Sequence, residues 1–80
     1  MAENVCFIRR AGVIEDGRAQ LDLKATDNSF DWTWFISAPA TGKEMLAIAM
    51  AAISTDRQVI AVIQDPVASF AQVNRLFLVK

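Results

Sequence analysis

The chain has 80 residues, enough for one domain, and at this length only a modest share of its surface can be hidden in a private core. Its apolar content is 54% before any glycine is counted, already above the roughly 45–50% of an average soluble domain with glycine included, so the surplus needs cover, and copies of the same chain are the expected cover. A net charge of −1, with eight basic residues dispersed among nine acids, argues against nucleic acid or an anionic membrane as partner, because each wants a clustered positive patch.

Residues 5–15 are rich in β-formers, and Asp16-Gly17 within "EDGR" suits a two-residue hairpin loop that would set Glu15 opposite Arg18. Ala19, Leu21, Leu23 and Ala25 then alternate with Arg18, Gln20, Asp22 and Lys24, the period of a strand with one wet face. The turn "TDNSFD" follows, with Asp27 and Asp31 placed to hold it by side-chain bonds to backbone. A third strand is expected over 32–37, closed by Pro39. Thr41 and Glu44 fit a capping box ahead of a helix whose centre, 45–53, contains only Met, Leu, Ile and Ala. Residues 59–63 read as a strand ended by Asp65-Pro66, and 73–79 as the last strand.

The order β-β-β-α-β-β predicts a mainly β single domain over 1–80, a small five-stranded OB-like barrel with one helix; an open sheet with a helix across it is the rival. Gly12 favours the barrel, whose first strand must bend. Arg9 and Arg10 are adjacent, so in a regular strand one of them would face the core. A bulge near Ala11-Gly12 could swing that side chain to the rim, either with its stem packed and its head solvated or committed to a salt bridge between subunits or an anion contact.

At about 100° per residue, Met45, Ile48, Ala49 and Ala52 form one apolar stripe of the helix, Leu46, Met50 and Ile53 a second, and Ala47 with Ala51 much of the rest. Five short strands cannot cover all of it. A homo-oligomer interface is therefore expected to draw on Met45, Ile48, Ala51 and Ala52, with Phe70 from the loop "DPVASFAQ" joining it.

Chemistry is bounded by absence. Without histidine there is no imidazole base, no Ser-His or Cys-His pair and no imidazole metal ligand, so no enzyme is expected. Cys6 is the lone cysteine, excludes an intrachain disulfide, and reads as a buried strand thiol. The acids Asp22, Asp27 and Asp31 lack the spacing of a calcium loop, and "TGK" lacks the first Gly and the Ser/Thr of a phosphate loop. No metal and no cofactor is expected. No apolar run approaches the roughly 18 residues of a membrane span, so no membrane insertion is expected. No signal peptide is visible, and a secreted chain whose leader had been removed would read the same, so localisation stays open. What remains is Trp32 and Trp34, two apart on a strand and facing one way with Ile36. They can form a ligand platform for a sugar ring or nucleobase, or belong to a core or a subunit interface, and Arg10 is a further candidate ligand contact.

The turn "EDG", the segment "GKEMLAIAMAAISTDRQVIAVIQD" and the ending "NRLFLVK" together resemble the OB-fold B subunits of bacterial AB5-type toxins and their small relatives, mainly over 42–80. The resemblance implies a ring, usually of five subunits, with helices lining the centre and strands pairing between neighbours. The expectation is thus a non-catalytic, self-assembling binding protein with repeated sites, for a glycan or a protein ligand. The alternatives are a structural adaptor oligomer and, behind it, a single-strand nucleic-acid-binding module.

Overall fold

The computed structural model describes residues 2–79. It contains β1 (Ala2–Val13), β2 (Ala19–Ala25), β3 (Thr33–Ser37), a 3-10 turn over Pro39–Thr41, α1 (Gly42–Thr55), β4 (Val59–Ile63) and β5 (Gln72–Leu78). The strands form a closed barrel in the order β1-β2-β3-β5-β4. The OB-like barrel is therefore the fold, and the open sheet is not.

Closure depends on the length of β1. Its first half pairs antiparallel with β4, Ala2↔Ile63 through Cys6↔Val59, and its second half with β2, Cys6↔Ala25 through Val13↔Ala19. A short parallel pairing of β3 with β5, Ile36↔Gln72 and Ser37↔Val73, closes the other side. The period of two sends Cys6, Leu21, Leu23, Phe35, Val59, Ala61 and Ile63 inward, and a register shift in β5 that skips Asn74 lets Val73 and Leu76 both face in. Each fully buried Leu or Phe in that set contributes about 1.5–3 kcal/mol of transfer free energy. The helix caps the barrel with Met45, Ala49 and Ala52, all in the same core cluster.

The structure corrects four local expectations. The hairpin between β1 and β2 has a three-residue loop: the Ile14 and Gly17 N–H groups donate to the carbonyls of Arg18 and Ile14, each at 2.9 Å, and Gly17 takes φ +90°. A left-handed glycine after a tight turn is the bulged three-residue solution. Arg18 therefore faces Ile14 and binds Asp16, Nε to Oδ2 at 2.8 Å, instead of Glu15. The capping box is not formed, since Thr41 has ψ 16° and its hydroxyl lies 3.4 Å from the Ala38 carbonyl oxygen that closes the 3-10 turn. The bulge in β1 falls at Arg9, where the register passes from Ile8↔Leu23 to Arg10↔Asp22, while Gly12 pairs regularly with Gln20.

The fourth correction concerns α1. Met45 and Ala52, expected at a subunit interface, are 4% and 0% exposed and belong instead to the barrel's own core. Ile48 and Ala51 are half-buried. The open part of the helix is Met50, 56% exposed, with Ile53 and Ala47.

Candidate functional site

The bulge at Arg9 creates the site. In a regular strand Arg9 and Arg10 would point to opposite faces; the extra residue turns both outward, over β2. There they converge on one carboxylate oxygen. Arg9 Nε donates to Asp22 Oδ2 at 2.6 Å, and Arg10 Nε and Nη2 both lie 3.0 Å from the same atom. Asp22 sits on the outer face of β2 yet its side chain is 2% exposed, whereas those of Arg9 and Arg10 are 47% and 58% exposed. The two arginines shelter the acid they neutralise.

β3 supplies the other half. Asp22 pairs across the sheet with Trp34, and Trp32 lies just ahead of the strand on the same side. The guanidinium carbon of Arg9 is 4.3 Å from the centroid of a Trp32 ring, and that of Arg10 is 4.8 Å from Trp34. Both distances lie within cation–π range, about 6 Å. Each guanidinium is thus held from below by Asp22 and from one side by an indole. Inward from these indoles, Phe35 is fully buried and meets Phe30 edge-on, with centroids 5.3 Å apart. The tryptophans themselves are half-buried on the outer face and are not core residues.

Phe70, on the loop between β4 and β5, borders the same surface. Its N–H donates to the Trp34 carbonyl at 2.6 Å, its φ is +65°, and its side chain is 55% exposed. A bulky residue in the left-handed region is uncommon and strained. Here the strand hydrogen bond holds it, and the ring is presented instead of packed down.

The structure therefore brings together Arg10, Trp32 and Trp34 as a cluster and adds Arg9, Asp22 and Phe70. Asp22 was legible as a solvated strand acid; its burial comes from two arginines more than ten residues away. A signal existed in the adjacency of Arg9 and Arg10 on a strand whose neighbour carries one acid among apolar positions. Asp27 and Asp31 hold the following turn as expected, accepting from the N–H groups of Ser29 and Trp32 at 2.9 Å each. The Ser29 contacts hold the Asp27 carboxyl below its usual range, and the Arg18 backbone N–H does the same for Asp16.

Chemically the cluster offers flat aromatic surface and charge-assisted donors. Arg9 engages Asp22 through Nε, so among the described residues its terminal nitrogens, like Nη1 of Arg10, carry no hydrogen bond. Two guanidiniums share one carboxylate, which leaves a local excess of one positive charge. Cys6 lies inside the barrel, its thiol pushed up to about 12, first by burial and then by the charge of Asp27. Such a thiol is inert as a nucleophile. No protein family, curated protein or solved structure matches the chain.

Proposed function

We propose that the protein is a non-catalytic, self-assembling binding module that presents its Arg9/Arg10–Trp32/Trp34 face, once per subunit, to glycans. The observation that carries this reading is the stacking of two half-exposed guanidiniums on two indoles over a buried acid, on the β1–β3 side of the barrel. OB barrels bind oligosaccharides and oligonucleotides on the face of strands two and three and on the adjoining loops, including the one between strands four and five. Phe70 occupies that loop. A sugar fits the chemistry: its apolar ring face can rest on the aromatic edges and Phe70, while hydroxyl or carboxylate oxygens accept from the free arginine nitrogens.

Assembly follows from what a single subunit leaves uncovered. Met50 and Ile53 on the helix, and Val5, Phe7 and Phe77 on the strands, are all more than a third exposed. Burying such groups between copies multiplies the sites and raises avidity for a surface carrying many weak ligands. The likeness of 42–80 to toxin B subunits, which self-associate, supports self-association without fixing its symmetry.

One observation favours a second reading. Paired arginines beside stacked aromatics also suit single-stranded nucleic acid. Asp22 offsets one of the two charges, and the other basic residues are dispersed, so the glycan reading stands first. A glycan array probed beside single-stranded oligonucleotides at low and high salt decides between them. Glycan retention that Arg10→Gln and Trp34→Ala abolish supports the proposal. A blank array with salt-sensitive oligonucleotide binding replaces it with the second reading.

A further inference from the structure

The barrel face away from the tryptophans carries two rows of three residues, defined by strand register. Glu3, Val62 and Arg75 lie side by side across β1, β4 and β5, and two residues along each strand lie Val5, Ile60 and Phe77. The period of two puts both rows on the same, outer face. Val5 is 41% and Phe77 49% exposed, and Phe7, the next outward residue of β1, is 43% exposed. Neighbouring strands are about 4.8 Å apart, so the backbones of Glu3 and Arg75 stand roughly 10 Å from each other across Val62, and among the described residues no ion pair joins the two side chains. The face is apolar along its middle, acidic at one edge and basic at the other.

Such a face is complementary to itself. A two-fold axis running along β4, just above the sheet, exchanges β1 with β5 between two copies. It sets Glu3 against Arg75 of the second copy, and Arg75 against the second copy's Glu3. The same operation sets Val5 against Phe77 of the second copy, and lays Val62 and Ile60 each against its own equivalent. Every charge meets its opposite and every apolar group meets an apolar group, the condition for an isologous contact. We infer that the β1–β4–β5 face is a two-fold contact between copies of this chain, closed by reciprocal Glu3–Arg75 ion pairs around Ile60 and Val62. The inference rests on the self-association proposed above and names the surface that carries it.

The contact leaves the ligand face free. The arginine–tryptophan cluster lies on the β1–β2–β3 side, so pairing through β1, β4 and β5 leaves both clusters uncovered. Its apolar centre is small, which places it with weak contacts below about 1,200 Å² of total buried area. Association through it is concentration-dependent.

Sedimentation of the full chain over a concentration series tests the inference with three variants: Glu3→Arg, Arg75→Glu, and the two combined. Each single reversal sets like charges together twice across the axis, so association should weaken at least about tenfold; the combined swap recreates both pairs and should return it to near the wild-type value. Phe77→Asp should abolish association through this face, and circular dichroism confirms that each variant is folded. If the wild type associates but the single reversals and Phe77→Asp associate as it does, this face is not the contact, though self-association stands. A wild type that sediments as an 8.8 kDa monomer at every concentration overturns both.

Discussion

Arg10 reaches from β1 across β2 to lay its guanidinium 4.8 Å from the centre of a Trp34 ring on β3, while two of its nitrogens rest 3.0 Å from Asp22 between them. One side chain thereby ties three strands together on their outer face. Arg9 reaches Trp32, just ahead of β3, in the same way, and the bulge that makes this parallel arrangement possible is a single extra residue. The cluster is both a brace for the barrel and a surface of exposed donors.

The brace is predicted to fail asymmetrically. Asp22→Asn removes the acceptor charge but leaves two arginines that are about half in water, so the loss should be on the order of 1–2 kcal/mol. Removing both arginines, as Arg9→Gln with Arg10→Gln, opens the sheltered carboxylate to water but also loses both cation–π contacts along with the ion pairs, and the loss should reach about 2–3 kcal/mol. Urea unfolding of both variants checks the order. A double variant more stable than Asp22→Asn would contradict the account of Asp22.

Phe70 separates binding from stability. Glycine adopts φ +65° without strain, so Phe70→Gly should leave stability unchanged or raise it by up to about 1 kcal/mol, because the exposed ring contributes little packing. Retention on a glycan array should nevertheless fall. Thermal melting beside the array measures both; a melting temperature lowered by several degrees with full retention would make Phe70 a packing anchor instead.

How much of this was legible follows from range. Alternation at 19–25, the glycine-bearing hairpin, the apolar helix and the order of elements are properties of neighbouring residues, and they led to the OB-like barrel. The local errors also came from short range. The turn lengthened because Asp16 found Arg18, and the capping box gave way because Ala38 claimed the Thr41 hydroxyl. The tryptophan pair and its orientation could be read from spacing two, but its partners could not. Asp22 and Arg10 meet only through a register that depends on where the bulge falls, and no local pattern places the bulge at Arg9 and not at Gly12. Likewise the helix showed too much apolar surface, yet which stripe it would spend on the barrel depended on how α1 sits across it.

Gly42 marks that seating. A Cβ built there would stand 2.5 Å from the Gly17 carbonyl oxygen and 3.0 Å from Arg18 Cα, both backbone atoms of the β1–β2 turn. Gly42→Ala, at the first position of α1, gains at most about 1 kcal/mol of helix propensity. The overlap should outweigh that, for a net loss of about 1–3 kcal/mol. Chemical denaturation gives the sign, and a stabilised Gly42→Ala would mean that helix and turn are not in close contact.

Cys6 gives a pH dependence. Its folded pKa is raised to about 12, so the fold favours the neutral thiol; that contribution is fully present below the unfolded thiol's pKa, near 8.5, and is lost as pH rises from there toward 12. Stability should decline across that alkaline window, less so in Cys6→Ala once its own cavity cost is subtracted. At pH 8 a thiol reagent should label the native protein only at the rate of its opening, and the unfolded protein at once. Rapid native labelling would contradict the buried position.

The central claim is that ligand meets the arginine–tryptophan face, and the indole N–H resonances of Trp32 and Trp34 report on it directly. Titrating a glycan retained by the array into the isotope-labelled protein should shift both indole signals and the Arg9 and Arg10 side-chain signals together, saturating with one affinity, while the exposed Met50 methyl on α1 stays still. Saturable binding that moves other resonances and leaves both indoles unchanged would contradict the account.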